Sequence, residues 1–163
     1  MDAEIKRSII LDNYHDARNR GVPSDMDGYI KINSNSESCI DNIDIYVKLN
    51  NGIIEDIKFE GEACVIATSS SSILSDMFIG KNIDEVENIL INYYKMIEEK
   101  EYDKELLGEA CVYDDIYKQP SRKTCVTLFA RGMEKIVNNK KNNVNIQVKD
   151  NGKVIPCGKM FFG

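Results

Sequence analysis

Residues 43 to 59 constrain the fold more than any other stretch. Ile43, Ile45, Val47 and Leu49 alternate with polar residues, Asn50-Asn51-Gly52 interrupts, and Ile57 and Phe59 share one parity after it. Alternation puts the apolar set on one face of a strand. The Asn-Gly step supplies the positive φ angles of a tight hairpin. Gly28 to Asn33 reads as an earlier strand, and the third strand runs from Ile53 to about Phe59. These three strands predict an antiparallel sheet with one face turned to a core.

Helical patterns surround the strands. Residues 2 to 14 read as a short amphipathic helix, with Ile5, Ile9 and Ile10 on its inner side and Tyr14 beyond. The segment from 19 to 28 is a loop by its Gly, Pro, Asn and Asp content. A helix follows Cys64, carries Ile66, Ile73, Leu74, Met77 and Phe78, and stops at Gly80. Its run Ser69 to Ser72 is flanked by apolar residues at helical spacing, so small side chains there permit close packing. Asn82 with Glu85 forms a capping box for the next helix, which Val86, Ile89, Leu90, Tyr93 and Ile97 continue. Leu106 and Leu107 add one turn. Pro120 and Ser121 open a last helix with Cys125, Leu128, Phe129, Gly132 and Ile136 as its buried stripe. After Asn138 the composition turns to Asn and Lys and reads as a linker or frayed end, with Lys140-Lys141 as a solvated helix end. Val144, Ile146 and Val148 then alternate before Asp150-Asn151-Gly152, which reads as a second hairpin. The expected division is one domain over 1–141 and a C-terminal extension over 142–163. The expected fold class is α+β, a three-stranded antiparallel sheet packed against helices.

The 163 residues carry a net charge of −6 and no basic stripe, which argues against nucleic-acid binding. No apolar run has the length of a transmembrane helix. The N-terminus MDAEIKRSII lacks the pattern of a secretory signal, so the expected compartment is the cytoplasm. There, five cysteines read as free thiols or metal ligands rather than disulfides.

Three of those cysteines stand in informative contexts: SESCIDN (36–42), FEGEACVIATSSSS (59–72) and PSRKTCVTLFARGMEKIV (120–137). Cys39 and Asp41 are one residue apart, so in extended backbone they point the same way. Cys64 sits where a strand hands over to a helix, and Cys125 near the start of another. Helix N-termini stabilise thiolates. Three thiols and one carboxylate suit zinc(II), and equally an iron–sulfur cluster. Three thiolates and a carboxylate leave a residual negative charge around a divalent ion. Arg122, just before Cys125, is a candidate to offset it.

These words, together with LDNYHDARNRG (11–21), resemble the SufU/IscU/NifU-type iron–sulfur cluster assembly proteins, with the SufU branch the nearest match. The resemblance runs to about Val137. It implies that Cys39, Asp41, Cys64 and Cys125 are metal ligands, and that the basic residue at 122 lies beside the metal. It implies the α+β fold with the site at one exposed end. The chain departs from the pattern at three places. Thr124 stands where the IscU branch has histidine, Ile40 replaces the usual glycine between the first cysteine and the aspartate, and no LPPVK-type segment is present. Extra sequence between Tyr94 and Gln119 is a SufU-branch feature.

The implied function is sulfur handling in iron–sulfur cluster biogenesis. Cys39 would accept persulfide sulfur from a PLP-dependent cysteine desulfurase of the SufS type, with zinc as resident metal. Downstream assembly or acceptor proteins would receive the sulfur. Whether such a protein counts as an enzyme, a zinc-dependent sulfurtransferase, stays open. One alternative is a scaffold that builds a transient [2Fe–2S] cluster on the same residues. Another is a structural zinc domain that mediates protein contacts. His15 is read as a surface residue, Cys111 as a packing residue, Cys157 as unpaired, and Asp114 and Asp115 as a solvated loop.

Overall fold

The turn at Asn50–Ile53 is built as its residues require: Asn51 has φ 54° and Gly52 φ 78°. It joins β2 (Asn42–Asn50) to β3 (Ile53–Glu62). β2 also pairs antiparallel with β1 (Tyr29–Asn35), giving the order β1-β2-β3. The computed structural model describes residues 1–36 and 40–149. In register, Ile45 faces Ile32 on one side and Phe59 on the other, and Val47 faces Ile57. Ile43, Ile45, Val47, Ile54, Ile57 and Phe59 are all buried on the inner face.

Helices pack against that face. They are α1 (Ala3–His15), α2 (Val65–Phe78), α3 (Ile83–Ile97), α4 (Lys104–Leu107), α5 (Lys123–Val126) and α6 (Leu128–Lys149). The expected α+β architecture is therefore the one observed. Gly132 shows how closely α6 lies on the sheet. A Cβ there would fall 2.4 Å from Ile45 Cδ1 and 3.3 Å from Ser34 Cβ. The Ser34 hydroxyl donates to the Leu128 carbonyl at 2.6 Å, fixing the start of α6 on β1. Phe129 packs between Phe59 and Phe78, 6.2 Å from each ring. Ser69 to Ser72 are fully buried, as the small-residue reading requires. Their hydroxyls are satisfied: Ser70 and Ser71 donate to Ala67, and Ser72 to the Asn13 side chain of α1 at 2.7 Å. The capping box on Asn82 and Glu85 is present at α3.

Four details depart from expectation. Ile5 is 49% exposed, so only Ile9 and Ile10 of α1 reach the core. The last helix does not start cleanly at Pro120. A 3-10 turn over Pro120–Arg122 precedes α5, and the helix breaks at Thr127 before α6. The polar stretch after Asn138 is not a linker. No Gly or Pro interrupts it, and Lys141 pairs with Glu87 at 2.6 Å and Asp84 at 3.4 Å, so tertiary contact carries α6 onward. Lys141 is accordingly not solvated. Finally, 144–148 belongs to α6 rather than to a strand. The turn and second arm of the expected hairpin lie outside the described residues.

Candidate metal centre

Two strand ends and a helix start meet at one end of the sheet. Asn42 pairs with Glu62, so Asp41, just before β2, lies beside the chain leaving β3. Gly61 makes this approach possible. Its φ is +143°, and a Cβ would lie 2.2 Å from the Asn42 carbonyl oxygen. The Ser36 N–H donates to the Asp41 carbonyl at 3.0 Å, tying the end of β1 to the residue that precedes β2.

Cys64 is the N-cap of α2, and its Sγ accepts the Ala67 N–H at 3.4 Å. The Asp41 Oδ1 accepts the Cys64 N–H at 2.9 Å. Cys125 comes from α5, which the Tyr93 hydroxyl steadies through the Val126 carbonyl at 2.8 Å. The ligand atoms of Asp41, Cys64 and Cys125 lie within 4.8 Å of one another. Asp41 is 2% exposed and Cys125 9%, while Cys64 is half-buried.

Electrostatics favour a cation here. The Asp41 Oδ2 is buried and has no hydrogen-bond partner among the described residues. Leaving a buried carboxylate oxygen unpaired costs about 1–3 kcal/mol or more, which a metal bond would remove. Burial pushes the Cys125 thiol well above its ordinary range, and the neighbouring Cys64 and Asp41 push it further. A positive ion at this place would favour the Cys125 thiolate. Two sulfurs and a carboxylate fit zinc.

Of the four expected ligands, the structure brings Asp41, Cys64 and Cys125 together, and Cys39 lies outside the described residues. Ile40 beside it is 81% exposed. Arg122 is exposed on the 3-10 turn; its backbone N–H donates to the Gln119 carbonyl at 2.8 Å, and its guanidinium makes no hydrogen bond or ion pair among the described residues. Among the described residues, Arg131 is a cation engaged with the site's framework. It donates to the Thr124 carbonyl at 2.9 Å, the Thr127 hydroxyl at 3.2 Å and the Asn35 carbonyl at 3.4 Å. Sequence reading missed it. Its signal was a charged residue beside the buried stripe, two helical turns after Thr124.

The remaining candidates fall elsewhere. His15 is exposed, with its ring 5.1 Å from Tyr14. Cys111 packs against the core, its Sγ 3.6 Å from the Lys104 carbonyl, and burial raises its thiol. Asp114 and Asp115 are held by Lys6 at 2.5 and 2.9 Å. Cys157 lies outside the described residues. Among the described residues, no helix is long and apolar enough to cross a membrane.

Comparison with known proteins agrees with this geometry. The family model for the NifU-like N-terminal domain matches residues 5–126. The zinc-dependent sulfurtransferase SufU of Bacillus subtilis is 35% identical over 130 residues, 79% of this chain and 86% of its own. The iron–sulfur cluster assembly scaffold protein IscU of Streptococcus pyogenes is 32% identical over 118 residues, 72% of this chain and 74% of its own. Among solved structures, FiSufU of Fervidobacterium islandicum AW-1, a scaffold candidate for the SUF system, superposes with TM-score 0.70 at 25% identity. That match covers 77% of this chain and 91% of the other.

Proposed function

This chain belongs to the NifU-like N-terminal domain family of iron–sulfur cluster assembly proteins, and on that premise we propose that it is a zinc-bound sulfur acceptor in iron–sulfur cluster biogenesis. The observation that carries the reading is the convergence of Asp41, Cys64 and Cys125 around a buried, unpaired carboxylate oxygen. Cys39 is the fourth ligand and the reacting thiol. Zinc, when bound, keeps the thiols deprotonated and reduced.

The residues divide the work by their anchoring. Cys64 is fixed as a helix N-cap and Cys125 by burial, so neither leaves its place cheaply. Cys39, two positions before Asp41 in sequence, is the remaining thiol and serves as the acceptor. Its thiolate attacks the terminal sulfur of a cysteine persulfide on a PLP-dependent, SufS-type desulfurase. The S–S bond of that persulfide breaks, the desulfurase cysteine leaves as thiolate, and Cys39 becomes the persulfide. No net oxidant or reductant is consumed. Asp41 holds its side of the site through the Cys64 N–H while Cys39 reacts. Downstream assembly or acceptor proteins then take the sulfur.

The test is desulfurase turnover read as alanine release. The wild-type chain stimulates it and Cys39→Ala does not; equal release with and without the wild-type chain would contradict sulfur transfer. A second reading, a scaffold for a [2Fe–2S] cluster, draws on the same donors and on the Streptococcus relative. Anaerobic reconstitution with iron and sulfide separates the two: a cluster that passes rapidly to an apo-ferredoxin favours the scaffold.

A further inference from the structure

We propose that Arg131 is a positioning residue for the metal site, clamping the segment that bears Cys125 to the strand end that leads to Asp41. This rests on the metal-site reading above. Arg131 closes the first turn of α6, beyond the helix break at Thr127. A break strands carbonyls that a continuous helix would satisfy. Arg131 reaches back across it. Its Nη2 donates to the carbonyl of Thr124, the residue before Cys125, at 2.9 Å. Its Nε donates to the Thr127 hydroxyl at 3.2 Å, and that hydroxyl donates onward to the Lys123 carbonyl at 2.7 Å. One guanidinium thus fixes both residues preceding Cys125.

The other arm crosses the fold. Nη1 faces the carbonyl of Asn35, the last residue of β1, at 3.4 Å. Asn35 pairs in register with Asn42, the residue after Asp41, and the next residue, Ser36, donates to the Asp41 carbonyl. The planar fork therefore spans the two ligand-bearing segments, which are joined nowhere nearby in sequence. Lysine offers a single point charge and cannot hold three acceptors in fixed directions. The same positive charge lies close to a site whose donors are all anionic when metal is bound.

Neighbouring Lys135 supplies the control. It also donates to β1, to the Asn33 carbonyl at 3.1 Å, but it touches neither ligand-bearing segment. The experiment is a zinc competition titration against a chromophoric chelator, with cobalt(II) ligand-field spectra of the same proteins. Loss of an outer partner of a metal site lowers affinity by about ten- to a hundredfold, which is the loss expected for Arg131→Met. Arg131→Lys is expected to stay weak, Lys135→Met to match the parent, and the Arg131→Met cobalt spectrum to change shape. If Arg131→Met fails to fold by circular dichroism, Thr127→Val carries the test, with a smaller loss in the same direction. Parental affinity and an unaltered spectrum in the folded variant would overturn the role. A parent chain that binds neither ion would instead overturn the metal-site reading, and the clamp with it.

Discussion

The Asp41 carboxylate accepts the backbone N–H of Cys64 at 2.9 Å, so one candidate ligand fixes the position of another. The bond uses Oδ1 and leaves Oδ2 buried and free. Asp41→Asn keeps an oxygen for the N–H but removes the charge. Zinc bound per chain after dialysis is expected to fall sharply, while apo-protein stability in urea changes by less than about 1 kcal/mol. Retention of full zinc content would remove Asp41 from the ligand set.

Cys64 has two roles that a single substitution separates. Serine is a strong N-cap, so Cys64→Ser preserves the start of α2, whereas Cys64→Ala costs about 0.5–2 kcal/mol through the lost cap. Both remove a soft sulfur donor. The expected outcome is two zinc-poor proteins, of which only the alanine variant unfolds at lower denaturant.

Gly61 is required by geometry rather than by chemistry. Gly61→Ala forces a Cβ against the Asn42 carbonyl at a backbone angle that L side chains rarely adopt. A loss of about 2–3 kcal/mol in apo-protein stability is expected, from strain at one residue. Because Asn42 adjoins Asp41, zinc affinity should fall with it. A variant as stable as the parent would contradict the close approach of β2 and β3.

Glu134 carries a pH dependence whose sign is fixed. Burial raises its carboxyl from the ordinary value of 4.5 to about 7, against the opposing pull of Tyr94, Arg131 and Lys135. Folding favours the protonated form, so this contribution is intact below pH 4.5 and is lost as pH rises through 7. Glu134→Gln should therefore stabilise the protein at pH 8 and leave it unchanged at pH 4. Urea midpoints at the two pH values check this; an equal shift at both would contradict it.

Lys141 anchors the later turns of α6 on α3. Lys141→Met leaves the Glu87 carboxylate buried without its cation, at an expected cost of about 2–3 kcal/mol for a partly exposed pair. Hydrogen exchange in α6 after Asn138 should accelerate; unchanged protection would show that the pair contributes nothing.

Sheet and site were legible for different reasons. The alternation from Ile43 to Leu49 and the Asn51-Gly52 turn are local signals, and β2 and β3 follow them. Asn82 and Glu85 fix a helix start by a hydrogen-bonded box that any sequence window contains. Asp41, Cys64 and Cys125 were found through the words around them, since their convergence depends on the whole fold. What escaped is tertiary in origin. The helix break at Thr127 has no Gly or Pro to announce it. The continuation of α6 past Asn138 depends on Lys141 meeting acids from α3. Arg131 is a surface-type residue whose partners come from the turn behind it and from a strand 96 positions away.

Zinc-edge X-ray absorption on protein purified without added metal tests the centre most directly. The expected result is one zinc per chain, with three sulfurs at about 2.3 Å and one oxygen at about 2.0 Å. The Cys64→Ser protein, purified in the same way, should carry little zinc. A metal-free protein, or a shell of nitrogen and oxygen alone, would contradict the site built on Asp41, Cys64 and Cys125.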